Sequence, residues 1–194
     1  MLRKGAKSLR KIFKIILAVF LAFFIFAVVG LSVVFLDVAA YTATSTQNLT
    51  PTGYATGVQS GKALVVYDPG LTGAARTIAS KITIDLQAQG YFVDLAGIKS
   101  STASTNASQY PVIVVGGPIY GGTAASSVQL FLSHLEPAQG AKIGVYGVGS
   151  FNTQNDKVAP LPNNSSFSIK ETLKISTSQD ATVESAQFVT GLLS

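Results

Sequence analysis

The chain has 194 residues, 47% of them apolar and 12% charged, with no cysteine and a single histidine, His134. That composition excludes disulfides, thiol nucleophiles, cysteine-ligated zinc, iron–sulfur clusters and any histidine-rich metal site. The net charge of +5 sits in Arg3, Lys4, Lys7, Arg10, Lys11 and Lys14, leaving eight basic against eight acidic residues after Asp37, so the bulk of the chain offers no basic face to nucleic acid.

Residues 1–14 form a basic arm. Residues 15–36, "IILAVFLAFFIFAVVGLSVVFL", carry no charge and account for much of the mean hydropathy of +0.40. A helix needs about 20 apolar residues to cross a bilayer. A buried core helix would keep a polar stripe, and this segment has none. A cleaved signal peptide is the competing reading, with Val38-Ala39-Ala40 as a small-residue cleavage site. Signal cores run about 7–15 residues, so the longer stretch favours an uncleaved anchor in membrane lipid. Basic flanks stay cytoplasmic, which predicts an N-terminus inside and a single-pass cell-membrane protein with its soluble domain outside. Sequons at Asn48-Leu49-Thr50, Asn106-Ala107-Ser108, Asn163-Asn164-Ser165 and Asn164-Ser165-Ser166 agree with an outward domain.

Residues 37–61 are rich in Ser, Thr and Gly and read as a flexible stalk with an r.m.s. reach of roughly 25–30 Å. From Lys62 the pattern changes. Residues 63–67, "ALVVY", predict a first strand. Thr72 to Gln89 carries Ile78, Ala79, Ile82 and Leu86 at helical spacing, with Gly90 as its stop. Residues 91–98 and 110–117 predict a second and third strand. A helix is expected over 123–135, with Val128, Phe131, Leu132 and Leu135 on one face. Residues 141–149 predict a fourth strand and 167–177 a weaker fifth. Asp180 to Leu193 closes the chain as a helix. Residues 99–109 are too polar for a good helix, and 150–166 read as a loop where a helix is expected.

Strands alternating with helices imply right-handed βαβ units and a parallel sheet. Uniformly apolar runs such as Val112 to Val115 suit strands covered on both faces. Residues 62–194 therefore predict one doubly wound α/β domain of about 130 residues, enough for its own core.

Ligands of such sheets bind outside the carboxyl ends of the strands. Three loops leave those ends with glycine-rich chemistry: Asp68 to Ala75, "GGPIYGGT" (116–123) and "GVGSFN" (147–152). A phosphate is stabilised by the free N–H groups and dipole of a helix N-terminus. Gly70 and Gly73 let the backbone approach closely, while Tyr120 and Phe151 offer aromatic faces.

This constellation resembles flavodoxin over residues 62–194. The strand, Thr-Gly turn and helix of 63–89 look like that family's FMN phosphate loop. "GGPIYGG" is similar to its second flavin loop, and "YGVGSFN" to its third. The resemblance implies a five-stranded parallel sheet in the order 2-1-3-4-5, bound FMN, and one- or two-electron transfer. It assigns the cofactor to Gly70, Leu71, Thr72, Gly73, Ala74, Ala75, Pro118, Ile119, Tyr120, Gly121, Gly149, Ser150 and Phe151. The partner it implies is a redox protein or a small acceptor such as a quinone near the membrane.

The family's phosphate loop commonly reads S/T-x-T-G-N-T, whereas 70–75 here read Gly-Leu-Thr-Gly-Ala-Ala. Thr72 and Gly73 match; Gly70, Ala74 and Ala75 lack the side-chain donors. Each hydrogen bond to a charged group is worth about 1.5–3 kcal/mol, so the expected FMN affinity is reduced. Side-chain donors restored by Ala74→Asn and Ala75→Thr are expected to tighten it. Asp68 is unfavourable beside an anion unless it caps the turn. "GVQSGKA" has the wrong spacing and precedes a strand, so it is not a Walker loop, and "GVGSFN" is not a G-x-S-x-G nucleophile elbow. A receiver domain wants an acid where Gly116-Gly117-Pro118 stand. Two functions remain: a membrane-anchored FMN electron carrier or oxidoreductase, and a flavodoxin-fold surface or partner-binding module that has lost its flavin.

Overall fold

The structure is a computed structural model and describes residues 3–41, 43–52, 60–105, 107–149, 157–159, 161, 165–177 and 180–194. The chain divides into two compact units, Met1–Val38 and Ala39–Ser194.

The first unit lies within helix α1 (Arg3–Tyr41), which runs past both expected ends of the apolar segment. Its stretch Lys11–Ser32 has a mean hydropathy of 3.0 and is nowhere buried. Phe13, Phe20, Phe23 and Phe26 are all more than half exposed. Twenty-two residues at 1.5 Å each span about 33 Å, enough for a hydrocarbon core of about 30 Å. The helix is thus long and apolar enough to cross a membrane, a property that an N-terminal signal sequence shares.

The second unit contains strands β1 (Thr46–Leu49), β2 (Gly61–Tyr67), β3 (Tyr91–Gly97), β4 (Val112–Tyr120), β5 (Thr123–Ala124), β6 (Lys142–Gly149) and β7 (Glu171–Ser176). Its helices are α2 (Ala74–Ala88), α3 (Ser101–Ser104), α4 (Ser126–Ser133) and α5 (Thr182–Leu193), with a 3-10 turn at Ala107–Gln109. Strands β3-β2-β4-β6-β7 are parallel neighbours, which is the expected 2-1-3-4-5 order. Pleating sends Ala63, Val65, Tyr67, Val112, Val114, Tyr146 and Val148 to the face covered by α2 and α5. Leu64, Val66, Ile113, Val115, Ile143 and Val145 go to the face covered by α3 and α4.

The sheet has seven strands rather than five. β1 adds to the edge of β3 in antiparallel sense, with Asn48 opposite Asp94, and β5 folds back on β4. The flexible stalk expected over 37–61 is therefore corrected at Thr46–Leu49. The Asn48 amide donates to the Asp94 carboxylate at 2.5 Å, and the Gln87 amide donates to the Thr50 carbonyl. Ala43 packs so closely on Gly97 that a Cβ there would lie 2.1 Å from its carbonyl oxygen. The open edge of β3 recruits this polar segment by offering unpaired backbone groups. Nothing local in the segment announces it.

Helix boundaries shift for visible reasons. α2 starts at Ala74 because Gly73, at φ +73°, ends the turn as its N-cap. α4 starts at Ser126 because Thr123–Ala124 are spent on β5. The described part of the loop after β6 replaces the missing helix with side chains: Val158, Ala159, Leu161, Phe167 and Ile169 pack on the α4 face.

Candidate functional site

β2, β4 and β6 are consecutive parallel neighbours, so the loops after Tyr67, Tyr120 and Gly149 emerge at one edge of the sheet. The chain order reverses at β2, the switch point where such folds open a crevice.

The first loop is built from its own backbone. Asp68 is 5% exposed, and its Oδ1 accepts from the Gly70 N–H at 2.9 Å. The Ser127 hydroxyl donates to the other carboxylate oxygen. Asp68 thus caps the turn instead of standing free beside it. Gly70 has φ +62°, and a Cβ there would come within 2.9 Å of Pro118 Cγ and 3.2 Å of the Tyr120 hydroxyl. Gly73 has φ +73° and open space where a Cβ would lie. The Thr72 hydroxyl accepts from the Ala74 N–H at 3.4 Å. Among the described residues no acceptor engages the N–H groups of Thr72, Gly73 or Ala75. These donors sit at the positive end of a 15-residue helix with no acid in its first turn.

The second loop has a different logic. Gly116 makes room for Tyr146, whose Cδ1 would lie 2.2 Å from a Cβ. Gly117 makes room for Val128 and Asp68, at 2.8 and 2.9 Å. Gly121 and Gly122, at φ +57° and +84°, form the two-residue turn between β4 and β5. Positive φ at both central residues is what a tight hairpin of this twist demands. Pro118 is buried under Gly70, and Ile119, 9% exposed, points at Gly147. Tyr120 is 40% exposed, and its oxygen accepts from the Leu71 N–H at 3.3 Å. Its phenol pKa is raised, mainly by burial; the Leu71 N–H lowers it and the Asp68 charge raises it.

Gly149 ends β6 buried, its carbonyl accepting from the Thr177 N–H at 3.0 Å. Ser150 and Phe151 lie outside the described residues. The site residues brought together are therefore Gly70–Ala75 with Pro118–Gly121, and Gly149 closes the next strand. Ala75, 1% exposed, belongs to the core and touches no opening.

Three supporting residues were not singled out in the sequence. Asp68 was noticed, as unfavourable beside an anion unless it caps the turn, but not among the site residues. Ser127 carried no signal at all in a run of small residues. Tyr146 reaches beneath the loop and donates to the Ala75 carbonyl at 3.0 Å. Full burial pushes its phenol well above the ordinary range. The Arg76 guanidinium stands 5.8 Å from the Tyr67 ring centre, over its face. His134 ends α4 exposed, with Nδ1 2.9 Å from the Leu130 carbonyl. A separate cleft of about 420 Å³ lies between α3 and α4, lined by Ile98, Ala103, Leu130, Phe131 and His134. Among the described residues no three His, Asp or Glu side chains gather to hold a metal.

No protein-family model and no curated protein matches the sequence. Solved structures do match. The flavodoxin of Streptococcus pneumonia TIGR4 is 19% identical with a TM-score of 0.54, over 68% of this chain and 97% of that one. Flavodoxin 1 of Bacillus cereus is 19% identical with a TM-score of 0.52, over 69% and 97%. The Flv1 flavodiiron core of Synechocystis sp. PCC6803 is 18% identical with a TM-score of 0.54, over 71% of this chain but only 37% of that one. The fold is flavodoxin-like.

Proposed function

We propose that this is a membrane-anchored, flavodoxin-like electron carrier that binds FMN weakly. The observation that carries the reading is the loop of 71–75. It leaves the Thr72 and Gly73 N–H groups without a described acceptor at the strand edge where this fold opens its crevice. The residues fit a phosphate through backbone, not side chains: Gly73 leaves the approach open, and Asp68 is turned away and satisfied. The N–H groups of residues 71–75 and the Thr72 hydroxyl would hold the phosphate. Tyr120, Gly121, Gly149, Ser150 and Phe151 would border the ring, with Pro118 and Ile119 supporting them from below. When bound, FMN supplies one- or two-electron chemistry. The chain's own part is to orient it and exclude water, and the partner class is a redox protein or a quinone. Fluorescence quenching of FMN titrated with the detergent-solubilised full chain tests the reading. Saturable quenching in the micromolar range is expected; none at high micromolar FMN rejects it.

A flavin-free surface module is the second reading. It is favoured by the absence of side-chain donors at Ala74 and Ala75 and by the Tyr120 oxygen already on the Leu71 N–H. The same titration separates the two. The basic residues Arg3 to Lys14, in the first turns of α1, support an anchor with its N-terminus in the cytoplasm and the domain outside. Protease added to intact cells should remove the domain; cleavage only after lysis reverses the orientation.

A further inference from the structure

We infer that the Tyr120 hydroxyl is a latch on the phosphate loop, a built-in competitor that an incoming phosphate must displace. This rests on the phosphate site proposed above. Tyr120 is the last residue of β4 and Leu71 belongs to the loop after β2, 49 positions away in sequence. Their one hydrogen bond joins the two loops that flank the crevice. The phenol oxygen lies where it accepts from a loop N–H, as a phosphate oxygen would. It is also held by shape, since a Cβ on Gly70 would lie only 3.2 Å from it and 2.9 Å from Pro118. The next N–H groups, those of Thr72 and Gly73, have no described acceptor, so the latch covers one end of the donor row and leaves the rest open.

The latch has a directional consequence. A group that takes the Leu71 N–H must move the Tyr120 oxygen away, and Gly121 and Gly122, both at positive φ with no side chain, follow directly as the turn that lets the loop adjust. The ring is not lost when the bond breaks; it is only released. Tyr120 therefore lowers the affinity of ligands that carry a phosphate and leaves flavins that lack one unaffected. It disfavours phosphate binding while the ring itself remains available to the flavin.

The test compares the full chain with Tyr120→Phe, which keeps the ring and removes the competing oxygen. Calorimetric titrations use FMN, inorganic phosphate and riboflavin, and amide hydrogen exchange is followed at Leu71. The latch predicts that Tyr120→Phe binds both FMN and phosphate about three- to tenfold more tightly, the worth of one neutral hydrogen bond. Riboflavin binding should not change, and Leu71 should exchange faster. Equal or weaker FMN binding by the variant overturns the latch and leaves the flavin reading standing. Tighter phosphate with no FMN binding in either protein keeps the latch and removes the flavin reading. Binding of neither ligand by either protein overturns both.

Discussion

The two faces of the sheet are covered very differently. On one, α2 and α5 bury Ile78, Ile82, Leu86, Phe188, Val189 and Leu192 in regular helical stripes. On the other, α3 has four residues, α4 has eight, and Val158, Leu161, Phe167 and Ile169 of the segment between β6 and β7 add to the cover, all only partly buried. Yet Leu64, Ile113 and Ile143 beneath the thin cover are as fully buried as Val65 and Val114 beneath the thick one. A parallel sheet needs both faces closed, and short helices with irregular chain close one of them here. What the thick face adds is position: α2 starts at the loop that follows β2, and its register fixes where the N–H groups of that loop lie.

The sharpest way to break this comparison is to cut a large side chain from each cover. Leu86→Ala removes a fully buried side chain from α2 and should cost about 2–5 kcal/mol. Phe167→Ala removes a partly buried ring from the segment between β6 and β7 and should cost no more than about half as much, since transfer scales with the area buried. Urea unfolding of the full chain in detergent, read by tyrosine fluorescence, gives both. Equal losses would show that the thin cover is structurally equivalent to the helices.

A second substitution asks whether the thick face supports the site. Tyr146→Phe removes the buried hydroxyl bonded to the Ala75 carbonyl in the first turn of α2. The Ala75 carbonyl keeps its partner within α2, so the loss is that of one net hydrogen bond, up to about 1.5 kcal/mol. Amide exchange in residues 71–75 should rise along with the loss of stability. Stability lost without faster loop exchange would mean that Tyr146 holds the core and not the loop.

These elements also mark where sequence reasoning reached and where it stopped. The five parallel strands and both long helices were legible, because apolar runs and the Ile78, Ile82, Leu86 spacing are local signals; their order came from the resemblance to flavodoxin. β1 was not, because Thr46–Leu49 is polar and owes its conformation to the free edge of β3. The glycines of "GGPIYGG" were legible as special but not in their role. Gly116 serves the Tyr146 ring thirty positions on, and only tertiary packing reveals that. The same holds for position 75. The expectation that Ala74→Asn and Ala75→Thr both tighten FMN now concerns two unlike positions: Ala75 is core, whereas Ala74 is partly open. Asp68 looked like repulsion because its partners, the Gly70 N–H and the Ser127 hydroxyl, include one from a distant helix.

Gly73→Ala tests the loop with a smaller effect. No atom lies within 4 Å of the position a Cβ would take, so there is no clash, only a left-handed backbone at φ +73°. That conformation costs an L-residue about 1–2 kcal/mol. The start of α2 should fray while the cover on the other face is unaffected. Exchange rates in residues 74–77 against those in 165–170 measure the contrast, and parallel increases in both would defeat it.

The smallest effect concerns the polar pin between α2 and the start of α5. Lys81 Nζ lies 3.1 Å from Asp180 Oδ1 and 2.6 Å from the Thr182 hydroxyl. Asp180 Oδ1 also accepts from the Thr182 hydroxyl at 2.7 Å and its N–H at 3.1 Å. The Thr182 hydroxyl first, and the Lys81 ammonium next, hold the Asp180 carboxyl below its usual 3.8. A carboxyl depressed by folding binds fewer protons folded than unfolded, so its stabilisation is present above 3.8 and disappears as pH falls through the lowered value. Asp180 is 82% exposed, so water and salt screen most of the attraction. Asp180→Asn should therefore leave the fold intact and lower the urea midpoint only slightly at neutral pH. The difference from the parent should shrink on acidification to about pH 3, below the ordinary carboxylate range. An unchanged difference across that range would mean that α5 is held by Phe188, Val189 and Leu192 alone, with the pin contributing nothing to the thick face.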